Sequence, residues 1–73
     1  MQLRYIEAQK RAFPYAKAKV GGPYETFEEA VAARPALEAR YPECNLAWIT
    51  VNVAMKKAAA LLGAPKLEER TNA

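Results

Sequence analysis

The sequence predicts a small, mainly α domain, and three observations carry that expectation. Thr26-Phe27-Glu28-Glu29 has the form of a capping box, with a threonine able to cap the amide three residues on. Asn45 precedes an apolar run, and Gly63 followed by Pro65 ends it, the start and stop signals of one central helix over residues 46–62. Within that span the alanine-rich stretch Ala58-Ala59-Ala60 favours helix over strand. The predicted architecture is therefore short helices around one central helix, with α+β as the alternative if the N-terminal third forms a short hairpin.

Pro and Gly divide the rest into short segments. Residues 2–13 lean towards helix: Leu3, Ile6, Ala8 and Phe13 loosely share a stripe, and Glu7 stands four residues before Arg11. Alternation of Leu3 and Tyr5 with their neighbours also permits a strand. Pro14 ends this segment, because the residue before proline is pushed out of the helical region. Residues 15–24 read as a loop or short extended piece, since Tyr15, Lys17 and Lys19 alternate with Ala16, Ala18 and Val20. A hairpin with residues 3–8 would give that piece a partner. Gly21-Gly22-Pro23 reads as a turn or hinge, lacking the lysine and threonine of a phosphate loop.

After the cap at Thr26, Phe27, Ala30 and Val31 share a face, and Glu28 and Glu29 suit the positive end of the helix dipole. Pro35 predicts a break near Arg34, with a second turn through residues 36–40. Leu37 and Tyr41, four apart, are expected to bury together. In the long helix over 46–62, Leu46, Ile49, Val53 and Ala60 form one stripe and Trp48, Val51, Met55 and Leu62 another. A strand over 48–53 competes, because Ile49, Val51 and Val53 are β-branched and alternate. Residues 1–65 are expected to form the single globular domain, and the polar tail over 66–73 to fray as a flexible extension.

At 73 residues there is room for one small domain, of stability about 4–11 kcal/mol. Leu, Ile, Val and Phe make up only 14 residues, so Trp48 and most of the other aromatics are assigned to the core. The chain has no His, Ser or Asp and one cysteine, Cys44. That removes the serine triad and the cysteine–histidine pair, structural zinc and an intramolecular disulfide. Cys44 has no neighbouring cation to activate it and reads as a passive thiol. No enzyme activity, metal or cofactor is expected. The charged opening Met1-Gln2-Leu3-Arg4-Tyr5 does not read as a signal peptide, and Leu46–Met55 is too short to cross a bilayer, so a cytoplasmic setting is expected.

Charge is unevenly distributed. Residues 1–20 carry a net +4, residues 21–45 a net −3, and residues 46–65 a net +2, within a total of +3. The basic third, with aromatics among its cations, is the candidate partner-binding region: Arg4, Tyr5, Lys10, Arg11, Phe13, Tyr15, Lys17 and Lys19. Lys56 and Lys57 are candidates for a position near RNA. The same features also fit a solvated basic face and an aromatic core. A dedicated duplex-DNA binder carries more positive charge than this.

The length of 73 residues, with Met1-Gln2-Leu3-Arg4-Tyr5-Ile6 and Asn45-Leu46-Ala47-Trp48-Ile49, resembles the small RNA-polymerase-binding regulators of lytic Xanthomonas phages. The resemblance implies one domain that binds the N-terminal region of the β′ subunit of bacterial RNA polymerase near the RNA exit channel, in the host cytoplasm. It further implies inhibition of initiation by the sigma-bearing holoenzyme, and suppression of termination together with a NusA-type elongation factor and close to nascent RNA. The residue assignments above come from charge and aromatic content, not from the resemblance. A monomer is expected. The competing readings are a small basic nucleic-acid-binding module and a helical assembly adaptor or homodimer using its alanine-rich helix.

Overall fold

The computed structural model describes residues 1–70. It is α+β rather than mainly α, which corrects the predicted class. Three antiparallel strands, β1 (Gln2–Lys10), β2 (Lys17–Tyr24) and β3 (Cys44–Asn52), form one sheet in the order β2-β1-β3. The helices are α1 (Phe27–Arg40), α2 (Met55–Gly63) and a terminal turn, α3 (Leu67–Arg70).

The expected helix over 46–62 is two elements fused by mistake. Its first half is β3, where the alternation of Ile49 and Val51 wins, because β3 completes a ladder along the whole of β1 from Gln2↔Asn52 to Lys10↔Cys44. Its second half is α2, which ends at Gly63 as the stop signal requires. Ala54 caps α2 without any side-chain hydrogen bond, so the true helix start carries no mark in the sequence. The helix expected over residues 2–13 is likewise β1, and its partner over 17–24 makes the hairpin held open as the alternative.

The cap expected at Thr26 is present at the start of α1. The Glu29 amide donates to Thr26 Oγ1 at 3.3 Å, and Tyr41, closing the helix, donates its amide to the Leu37 carbonyl at 3.0 Å. Pro35 does not break the helix, which runs unbroken for 14 residues. The carbonyl it leaves without a helical donor belongs to Val31, an exposed residue, so water can satisfy it.

α1 packs on one face of the sheet. Ile6, Tyr24, Ala30 and Leu37 form the buried cluster there, with Val20, Ala33, Tyr41 and Leu46 packed against it. Strand alternation sends Tyr5, Glu7 and Gln9 to the opposite face, together with their cross-strand neighbours Lys17 and Lys19. β2 carries two extra residues relative to β1, one between Tyr24 and Gly21 and one between Gly21 and Lys19, so it is bulged where β3 is straight. Gly21-Gly22-Pro23 therefore lies inside a bulged strand and is not a free turn.

Residues 67–70 of the expected tail form α3; residues 71–73 lie outside those described. α3 docks against β2, where Glu68 accepts the Tyr24 hydroxyl at 2.9 and 3.0 Å and the Gly22 amide at 3.0 Å. Arg40 donates to the Glu68 carbonyl at 3.1 Å, tying α3 to α1 as well. Burial, reinforced by the hydrogen bond to and negative charge of Glu68, raises the Tyr24 hydroxyl well above the ordinary tyrosine value of 10.0. A phenol favoured in its neutral form stabilises the fold fully below pH 10, and this contribution is lost as pH climbs from there towards the raised value. Tyr24→Phe is expected to cost about 1–3 kcal/mol at neutral pH by removing one donor from a carboxylate. The stability difference between the two proteins, measured by urea unfolding, should then shrink above pH 10.

Candidate interaction surface

The β1–β2 hairpin is the one place where the basic and aromatic residues singled out in the sequence converge. Its loop is closed by the Lys10 amide donating to the Ala16 carbonyl at 2.9 Å. Residues 11–16 of this loop are all exposed. Phe13 is 85% and Tyr15 72% exposed, and their rings meet edge to face with centroids 6.3 Å apart. That contact holds two aromatic surfaces in a fixed mutual orientation without burying either. Lys10 and Lys17 flank the loop as exposed ends of the two strands. Behind it, Lys19 places its ammonium 5.3 Å from the centre of the half-buried Tyr5 ring, extending the basic strip along the sheet face opposite α1.

Other candidates lie elsewhere or are engaged. Arg11 starts in the loop but turns towards β3, where Nε donates to Asn45 Oδ1 at 3.0 Å and Nη2 to the carbonyls of Pro42 and Cys44 at 2.9 and 3.2 Å. Its guanidinium fastens the hairpin base to the α1–β3 connection. Arg4 stands near the far end of β1 and donates to the Glu25 carbonyl at 3.0 Å. Lys56 and Lys57, exposed in the first turn of α2, follow the end of β3 that pairs with the start of β1. They are at the opposite end of the sheet from the hairpin loop and do not join it. Cys44 is buried, with Sγ 3.9 Å from Glu43 Oε1.

A second surface was not foreseen. Trp48, assigned to the core, is 39% exposed, because β3 is an edge strand and α1 covers only part of it. Phe27 stacks at a tilt against it with centroids 5.0 Å apart, and the Arg34 guanidinium lies 4.7 Å from its ring centre. Arg34 is fixed by donating to the Leu46 carbonyl at 3.3 Å and by an ion pair with Glu38 at 3.6 Å. The spacing of Phe27, Val31 and Arg34 on α1 marks that stripe in the sequence, but its nearness to Trp48 depends on a sheet that the sequence did not disclose.

Between these surfaces, Arg11, Arg34, Glu38 and Asn45 edge an open polar cleft of about 430 Å³. Both guanidinia in it are spent on backbone carbonyls, so it offers no free cation pair to a ligand. Among the described residues no helix is long and apolar enough to cross a membrane. No protein-family model, curated protein or solved structure matches the chain.

Proposed function

We propose that this chain is a non-enzymatic regulator that acts by occupying a surface of bacterial RNA polymerase, the N-terminal region of β′ near the RNA exit channel. On this reading it opposes initiation by the sigma-bearing holoenzyme and suppresses termination alongside a NusA-type factor. The observation that carries it is the hairpin loop: two large aromatic rings kept out of the core and set among lysines are the anchor type that dominates binding at protein interfaces. The choice of polymerase as partner rests on the resemblance of the sequence. Lysines at the loop supply long-range attraction to an acidic surface and orient the approach. A body wedged beside the exit channel would oppose formation of the RNA hairpin that termination requires.

The experiment is capture of purified core polymerase by the immobilised chain. Phe13→Ala and Tyr15→Ala together are expected to weaken capture at least about tenfold, as loss of a hot-spot aromatic does. Thermal stability should barely change, because neither ring is part of the buried cluster. Failure of the wild-type chain to bind polymerase ends the reading. Binding to RNA alone that falls log-linearly with salt would favour the nucleic-acid module instead.

A further inference from the structure

The two edges of the sheet are defended unequally. β2 is bulged twice, carries Lys17, Lys19 and Pro23, and is partly covered by α3, all devices that discourage another strand from pairing. β3 has no bulge, lysine or proline, and only its loop end is covered. Its nine residues, Cys-Asn-Leu-Ala-Trp-Ile-Thr-Val-Asn, include no charge, no proline and no glycine, and its register with β1 is unbroken.

The ladder shows which backbone groups β3 leaves outward. Met1 and Val53 exchange both of their hydrogen bonds, each at 2.9 Å, which makes that pair a hydrogen-bonded one. With no register shift, Val51, Ile49, Ala47 and Asn45 also bond inward to β1, and the residues between them point their N–H and C=O groups away. At the loop end these groups are covered: the Cys44 amide donates to the Tyr41 carbonyl, and Arg11 and Arg34 reach the carbonyls of Cys44 and Leu46. No described residue bonds the outward N–H and C=O groups of Trp48, Thr50 and Asn52. The open stretch has apolar flanks on both sides of the sheet, Phe27, Val31 and Trp48 on the α1 side and half-buried Ile49 and Val51 on the other.

We propose that a second copy of this chain docks on the open edge of β3, joining two sheets into one six-stranded sheet through antiparallel β3–β3 pairing. A two-fold axis makes such a contact self-complementary, with the same residues presented by both partners. Self-pairing sets an uncharged strand against an uncharged strand and apolar flank against apolar flank. A foreign strand of either sign would find no charge on β3 to select it. The open stretch from Trp48 to Asn52 is about 17 Å long, and pairing it about the axis sets Trp48 of each copy against Asn52 of the other and Thr50 against Thr50. The hairpin loop lies across β1 from this edge, so both copies keep their candidate binding loops exposed.

Sedimentation equilibrium on the full chain is the test, with amide hydrogen exchange alongside. The expected result is a monomer–dimer equilibrium, with the amides of Trp48, Thr50 and Asn52 gaining protection as concentration rises. Thr50→Pro removes an outward N–H without touching a β1 bond, which an edge strand tolerates. Two-fold symmetry counts the loss twice, so the dimer dissociation constant should rise roughly tenfold to a hundredfold. Thr50→Lys, at an exposed position, places two like charges near the interface and should act in the same direction even if the proline variant fails to fold. A monomer up to millimolar concentration overturns the proposal, whatever else the edge binds. A dimer unaffected by Thr50→Lys overturns it equally, by placing the contact elsewhere.

Discussion

Replacing Leu37 with alanine is expected to cost about 2–5 kcal/mol, a large share of the roughly 4–11 kcal/mol available to a chain of this size. Leu37 is 1% exposed and lies at the centre of the only buried cluster identified among the described residues, with Ile6, Tyr24 and Ala30. Its Cδ1 lies against Gly21, where even a single added carbon would come within 2.6 Å, so the backbone there is packed directly onto the leucine. Two of its neighbours, Ala30 and Gly21, are already minimal and cannot expand into the vacated space. The cavity term is therefore retained nearly in full instead of relaxing away. Urea unfolding should show a lowered midpoint with an unchanged slope. A cost below about 1 kcal/mol would mean that the core closes over the gap and that α1 is less tightly seated than its burial implies.

Why the helix α1 was legible and the sheet was not follows from where each element finds its partners. Thr26 caps an amide three residues away, and Leu37 meets Tyr41 four residues on, so the signals for α1 lie inside α1. β1 instead pairs with residues 17–24 and 44–52, and its own sequence fits a helical stripe nearly as well as a strand. Only the non-local ladder decides between them. The fused helix over 46–62 has a different cause: the strand-to-helix junction at Ala54 bears no capping side chain, while Asn45 looks like a cap and is in fact an edge-strand residue that receives Arg11. Distance also hid the role of the tail, for Glu68 and Gly22 are 46 positions apart. The candidate surface was partly legible for the same reason. Phe13, Tyr15, Lys10 and Lys17 are close in sequence and remain close on the hairpin. Arg11 looked equally available, but its acceptors lie 31 to 34 residues on. Trp48 was assigned inward because its bulk suggested core, yet an edge strand beside a single helix has too little cover to bury it.

Gly22→Ala is the second substitution expected to be severe, and Gly63→Ala measures how much of that severity comes from place rather than from alanine itself. Gly22 has φ of 109°, a conformation that L residues rarely adopt, and forcing one into it costs about 1–3 kcal/mol. Space compounds the strain. A Cβ there would lie 2.8 Å from the Arg4 carbonyl oxygen, 3.0 Å from Tyr5 Cδ1 and 3.2 Å from Tyr5 Cα. Two of those atoms belong to the backbone of β1, the central strand, held by ladders on both sides and unable to retreat without breaking one of them. Relief must come from β2, and moving β2 pulls the Gly22 amide away from Glu68 and loosens the Tyr24 contact with it. Crowding of this kind adds about 1–3 kcal/mol, so the combined loss approaches the lower range of the whole domain's stability. At Gly63 an added Cβ meets nothing within 4 Å and no positive φ stands in the way. There the substitution should be neutral or gain up to about 1 kcal/mol by restricting the unfolded chain. Equal unfolding midpoints for the two variants would show that the bulge in β2 can reshape around a side chain. The close packing of β2 on β1, and with it the docking of α3, would then be far softer than these distances require.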